Sequence, residues 1–265
     1  MIPVFQAVIL AAGMGKRMKS DLPKVLHPAL GIPLIHHVLD RLEPLRPEGV
    51  IIVVGHKEEL VREACAARGV RFVTQNPQLG TGHAVQVAWG EIELKAADRV
   101  LVLAGDMPLV RTETLRRLLE RHAREGNGVT VLTGILEDPT GYGRVIRDDA
   151  GRFSRIVEEK DATPAERAVT EVNSGIYCFD RAPLEEALAS LRTDNRQGEF
   201  YLTDTLAAMR GKGLGVGIEP ATDESELMGV NTVEQLAEVE RRLIAAGVAP
   251  APSHAQPPAT REPGR

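Results

Sequence analysis

The stretch Gln6-Ala7-Val8-Ile9-Leu10-Ala11-Ala12-Gly13-Met14-Gly15-Lys16-Arg17 reads as a buried strand that empties into a loop of small residues. A near-continuous run of Val, Ile and Leu suits a strand covered on both faces. The alanines and glycines after it let backbone approach a ligand closely, and their N–H groups beside Lys16 and Arg17 suit an anion. The loop is not the three-glycine dinucleotide fingerprint, nor does it carry the Gly-Lys-Ser/Thr of a P-loop. The same spacing also suits a tight glycine turn with solvated charges.

Working outward, similar apolar runs recur at Val50 to Val54, Val70 to Val73, Val100 to Ala104 and Val129 to Leu132. Between them, Pro33 to Leu42, Glu58 to Arg68, His83 to Trp89 and Thr112 to Arg124 show helical spacing, with stops at Gly69 and Gly126. Strands alternating with helices predict an α/β fold with a doubly wound, mostly parallel sheet. After residue 136 the rhythm shortens. Arg144 to Arg147, Phe153 to Glu158 and Val172 to Phe179 predict a small antiparallel addition suited to a substrate lobe. Helices at Pro183 to Leu191, Phe200 to Arg210 and Thr232 to Ala246, with a strand at Leu214 to Ile218, complete a first domain over 1–248. Residues 249–265 hold five prolines and are expected to form a disordered tail.

The 265 residues carry a net charge of −5 and only one Trp, three Tyr and five Phe. That balance argues against nucleic acid as a partner. No run approaches the ~18 apolar residues of a membrane span, and the opening segment does not read as a signal peptide. Cys65 and Cys178 lack metal-ligand spacing and suit reduced, buried thiols, so a cytoplasmic location is expected. Lys24 follows a restraining proline in Ser20-Asp21-Leu22-Pro23-Lys24. Asp106 follows a strand end in Ala104-Gly105-Asp106, where open α/β sheets bind ligands. One carboxylate there suits Mg²⁺ shared with phosphates, though an N-cap is its structural alternative.

The segments LAAGMGKRM from Leu10 and SDLPKVLHPALG from Ser20 resemble the nucleotidyltransferases that join a sugar 1-phosphate to a nucleoside triphosphate. QNPQLGTGHAV from Gln75, AGDMPL from Ala104, DPTGYGRV from Asp138, IVEEKDAT from Ile156, EVNSGIYCF from Glu171, QGEFYLTD from Gln197 and GVNT from Gly229 narrow this. Together they look like the uridylyltransferase (pyrophosphorylase) domain of GlmU-type N-acetylglucosamine-1-phosphate enzymes, in collinear order over roughly 4 to 245. The resemblance implies a Rossmann-like, GT-A-like nucleotidyltransferase fold. It also implies UTP and N-acetylglucosamine 1-phosphate as substrates, Mg²⁺ as cofactor, and a place in cell-wall precursor synthesis.

Carried over residue by residue, it assigns Leu10, Ala11, Ala12, Gly13, Gly15, Gln75, Gly80 and Thr81 to the uridine nucleotide. Arg17 and Lys24 would neutralise the triphosphate, and Asp106 with Asn231 would hold Mg²⁺. Gly141, Glu158, Asn173 and backbone beside Thr170 would frame the sugar. Without the resemblance, Glu158 reads as an exposed strand charge and Asn173 as a strand-edge amide. Asn231 precedes Thr232, which with Gln235 matches a capping box. The sugar-phosphate oxygen is already anionic, so attack at the α-phosphate calls for no general base. Lys16 stands where the family commonly has a small hydroxyl residue, and Ala104 where many relatives carry an aromatic. His27, His83 and the His36-His37 pair are assigned no chemistry. GlmU-type enzymes usually continue into a left-handed β-helix that acetylates glucosamine 1-phosphate and holds a trimer; that acetyltransferase domain is expected to be absent, which leaves the oligomeric state open. The same chemistry on another sugar phosphate or nucleotide, and a sugar-nucleotide sensor without turnover, are the competing readings.

Overall fold

The computed structural model describes residues 2–92 and 98–251, the side chain of Lys16 excepted. The proline-rich tail read at 249–265 therefore lies outside the described residues from position 252 onward. The strands are β1 (Gln6–Leu10), β2 (Pro28–Ala29), β3 (Ile32–Pro33), β4 (Gly49–Val54), β5 (Arg71–Thr74), β6 (Arg99–Ala104), β7 (Val129–Ile135), β8 (Gly143–Arg147), β9 (Phe153–Val157), β10 (Glu171–Asp180) and β11 (Val216–Pro220). The helices are α1 (Leu34–Leu42), α2 (Glu58–Cys65), α3 (Thr81–Ala88), α4 (Thr112–Glu125), α5 (Pro164–Arg167), α6 (Arg181–Ala189), α7 (Asp204–Gly211) and α8 (Val233–Ala245).

The main path of the sheet runs β11-β7-β10-β6-β1-β4-β5. β1 lies between β4 and β6 and is parallel to both. The chain thus winds outward through β4 and β5, then returns to place β6 on the other side of β1. Such a reversal opens a crevice at the carboxyl ends of the two strands. Those ends are Leu10 and Ala104, which lie opposite each other in register.

Alternating residues of β1 explain its apolar run. Ala7 and Ile9 join one core cluster with residues of α1, α2 and α4, whereas Val8 joins a second with residues of α3, α6 and α7. All three are fully buried, because successive side chains of a strand point to opposite faces. Cys65 and Cys178 are buried free thiols, and burial pushes the Cys65 thiol up to about 11.

One element differs from the sequence reading. The segment 172–179 reads from sequence as part of an antiparallel addition, but it runs along the main sheet, with Glu171 to Asn173 already paired to β7. Tyr177 to Asp180 pair antiparallel with β6, and Tyr177 to Phe179 also pair with β7. Only the first half joins the lobe, where Val172 and Asn173 pair with β8 and β8 pairs with β9. A bulge between Asn173 and Tyr177 separates the two halves and places Ser174 and Gly175 at the crevice.

A third apolar cluster seats α8. Val239 and Leu243 pack with Ala29, Leu30 and Leu34 around the β2–β3 hairpin. Glu240 Oε1 accepts from Leu30 N at 2.9 Å. This docking brings the segment before α8 back to the loop after β1.

Candidate active site

The loop after β1 is fixed where it leaves the strand. Ala11 N donates to Val53 O at 2.9 Å, and Gly105 N donates to Leu10 O at 2.9 Å. A Cβ on Gly15, at φ +61°, would lie 2.8 Å from the Lys24 Cβ. Glycine there lets the lysine segment close against the loop. Lys24 Nζ then donates to Asp106 Oδ2 and to Asn231 Oδ1 at 3.1 Å. Val230 N donates to Asp106 O at 3.0 Å, which ties the segment before α8 to the end of β6. The capping box forms as well, with Thr232 Oγ1 accepting from Gln235 N at 3.2 Å. Thr232 caps the helix, so the Asn231 side chain is left to face Lys24. The side chains of Asp106 and Lys24 are 11% and 20% exposed, so both keep a small opening to solvent.

A second wall comes from the loop before α3. Gln75 is buried, and its Nε2 donates to Gly80 O at 2.9 Å. Gln78 Nε2 donates to Ala12 O at 2.6 Å, clasping this loop to the one after β1. Gly80 has φ +100°, and a Cβ there would sit 2.7 Å from Phe200 O. That closeness permits Gly82 N to donate to Phe200 O at 2.7 Å, Phe200 N to Leu79 O at 2.8 Å, and Leu202 N to Thr81 Oγ1 at 3.1 Å.

The third wall is the lobe. Thr203 Oγ1 donates to Glu158 Oε1 at 2.9 Å. Burial, reinforced by Asp204, Asp161 and Glu199, pushes the Glu158 carboxyl above its usual range against that hydrogen bond. Asn173 Oδ1 accepts from Gly175 N at 3.1 Å. Gly141 N donates to Glu159 Oε2 at 3.1 Å, the same oxygen that accepts from Arg144 Nη2 at 2.7 Å.

The three walls enclose a cleft of about 520 Å³. A MobA-like NTP transferase domain family model matches residues 7–201. The chain belongs to this family. It is 51% identical over 234 residues to the bifunctional protein GlmU of Paraburkholderia phytofirmans, covering 88% of this chain and 51% of that protein. It is 50% identical over 235 residues to the bifunctional protein GlmU of Alkaliphilus metalliredigens, covering 89% and 51%. With GlmU of Pseudomonas putida it shares 47% over 249 residues, covering 91% and 54%. The chain spans about half the length of the curated relatives it matches. Among solved structures, a Bacillus anthracis protein assigned as a glucose-1-phosphate thymidylyltransferase aligns with TM-score 0.73 at 21% identity, covering 90% of this chain and 95% of that one. That likeness carries the nucleotidyltransferase fold.

Within this NTP transferase domain, Leu10, Ala11, Ala12, Gly13, Lys24, Gln75, Gly80, Thr81, Asp106, Gly141, Glu158 and Asn173 all line the cleft. Gly15, Arg17 and Asn231 line a smaller adjoining recess that shares Gly13 and Lys24 with it. Thr170 lines neither. Glu158 is half-buried rather than an exposed strand charge. Sequence reading passed over Gln78, Tyr142, Ser174 and Thr203, which also line the cleft. All four lie inside quoted motifs, so a signal existed, but nothing local separated them from packing residues.

The oxygens of Asp106 and Asn231 converge on one cationic position, the one Lys24 Nζ takes. Hard oxygen donors few in number fit a divalent cation that keeps water and phosphate as its other ligands. Among the described residues no group of three or more His, Cys, Asp or Glu converges as a metal site, so a cation here would rest on this pair.

Proposed function

We propose that this domain makes UDP-N-acetylglucosamine and pyrophosphate from UTP and N-acetylglucosamine 1-phosphate. The observation that carries the reading is the convergence of Lys24, Asp106 and Asn231 from three distant segments beside a loop suited to phosphate, in a chain half identical to GlmU proteins. The loop from Leu10 to Gly15 would seat the triphosphate and Gln75 the base. Glu158, Asn173 and Gly141 would frame the sugar on the opposite wall.

A phosphate oxygen of the sugar substrate attacks the α-phosphorus of UTP. The bond to the bridging oxygen breaks, and pyrophosphate leaves with that electron pair. Arg17 and Lys24 offset the charge that gathers on the leaving group, while the lobe holds the sugar phosphate in line. Mg²⁺ held by Asp106 and Asn231 would supply Lewis acidity at the phosphate oxygens. No residue need take a proton, because the nucleophile arrives deprotonated.

The test is pyrophosphate release with Mg²⁺, offering UTP, CTP, TTP and ATP against N-acetylglucosamine 1-phosphate, glucosamine 1-phosphate and glucose 1-phosphate. Preference for UTP with the acetylated sugar supports the reading. Faster release with a different pair replaces the substrates. Folded protein that binds nucleotide but releases no pyrophosphate with any pair leaves a sensor as the better reading.

A further inference from the structure

We infer that His83 is a positioning residue for base choice: its ring holds the Gln75 amide so that Oε1, an acceptor, meets the nucleotide base. This rests on the reading of the cleft as a UTP site and adds what fixes the base.

The two ends of a glutamine amide have nearly the same shape, so only partners decide which way it points. Gly80 O can only accept, and it lies 2.9 Å from Gln75 Nε2. That carbonyl is itself held in the first turn of α3, where it accepts from Ala84 N at 3.1 Å. The second amide hydrogen faces His83 Nδ1 at 3.2 Å. An amide hydrogen can only be donated, so Nδ1 must present its lone pair and the ring proton must sit on Nε2. Turning the amide would place Oε1 against the Gly80 carbonyl and against the Nδ1 lone pair. Both contacts would be repulsive.

With both amide hydrogens engaged, Oε1 is the atom left to meet a ligand in the cleft that Gln75 lines. An acceptor there pairs with the ring N3–H of uracil. It repels the N3 lone pair of cytosine, and such mismatched polar contacts are an effective source of discrimination. His83 is half-buried on the first turn of α3, and its ring lies against Phe200 with centroids 6.4 Å apart. The ring is thereby held while its Nδ1 faces the amide.

The test compares kcat/KM for UTP and CTP in the unaltered protein, His83→Leu and His83→Asn, together with the ring ¹⁵N spectrum of His83 in the unaltered protein. Leu removes one of the two acceptors, so the UTP-to-CTP ratio should fall about five- to tenfold, as for one lost hydrogen bond. The Asn side chain can offer Oδ1 where Nδ1 stood and should restore the ratio. The spectrum should show Nδ1 unprotonated. An unchanged ratio in His83→Leu, or a ring protonated at Nδ1, overturns the inference while leaving the UTP reading in place. Should His83→Leu not fold, the ring spectrum decides alone. If the unaltered protein shows no preference for UTP, the reading of the site itself fails, and that is visible before any variant is made.

Discussion

Lys24 Nζ and Asn231 Oδ1 meet at 3.1 Å although 207 residues apart in sequence. The contact requires the Gly15 turn, the Asp106 strand end and the docking of α8 all to be in place. Its third member, Asp106, accepts from the same ammonium. Asp106→Ala and Lys24→Ala each remove a polar side chain from a solvent-reached surface of the cleft and should leave the fold intact. Turnover should fall about 10²- to 10³-fold, the usual cost of losing a group that stabilises transition-state charge. In a thermal melt, Mg²⁺ should raise the midpoint of the unaltered protein and not that of Asp106→Ala. Near-normal turnover in either variant removes that residue from the chemistry.

Gln78 gives a different kind of prediction. Its amide joins the loop after β1, the proposed nucleotide loop, to the loop before α3 through Ala12 O, and it touches none of the proposed reacting atoms. Gln78→Ala should raise the KM for UTP about tenfold, near the upper end for one hydrogen bond, with kcat and the KM for the sugar phosphate retained. A fall in kcat with unchanged KM would show that Gln78 acts in the transition state instead.

The parallel half of the fold was legible because its central strands β1, β4 and β6 are largely buried and announce themselves as apolar runs. β1 falls on Gln6–Leu10 as read, and α4 extends the expected helix by one residue to Glu125. The lobe was harder because β10 serves two sets of neighbours and is divided by a bulge, which shifts its period-two alternation partway along. The helix expected from Phe200 begins at Asp204, since the backbone of Phe200 is bound to Leu79 and Gly82 instead. Tertiary hydrogen bonds overrode local propensity at that point. In the site, positions with charge or glycine stood out. Gln78 and Thr203 did not, because their roles depend on partners far along the chain.

The Arg144 guanidinium is almost fully buried beneath the Gly141 loop, with Glu159 at 2.7 Å as its carboxylate partner. Glu159 Oε2 also accepts from Gly141 N, so one oxygen couples the buried cation to a loop that frames the proposed sugar position. Glu159→Ala should destabilise the protein by about 1–3 kcal/mol, the cost of a buried donor left unmade, and raise the KM for the sugar phosphate without changing that for UTP. Glu159→Gln keeps an acceptor and should recover most of both. Urea unfolding and paired KM measurements check this. Equal effects on the two substrates would mean that the pair supports the fold rather than the loop.

Glu158 links the proposed sugar wall to pH. Its carboxyl titrates above the ordinary 4.5 because burial disfavours the charge, with Asp204, Asp161 and Glu199 adding repulsion and the Thr203 hydroxyl opposing them. The folded chain therefore holds this proton more tightly than the unfolded chain does. The stability it contributes is full below the unfolded value and is lost as pH rises through the folded one. Glu158→Gln keeps an acceptor for Thr203 but carries no charge, so this loss should vanish. Near pH 4 the two proteins should melt together. Their midpoints should separate as pH rises, with the variant the more stable at pH 8, while its turnover with the sugar phosphate falls. Melting curves over this range, with pyrophosphate release at neutral pH, decide it. A variant less stable than the parent by the same margin at every pH would mean that the carboxylate is held by contacts that outweigh its burial.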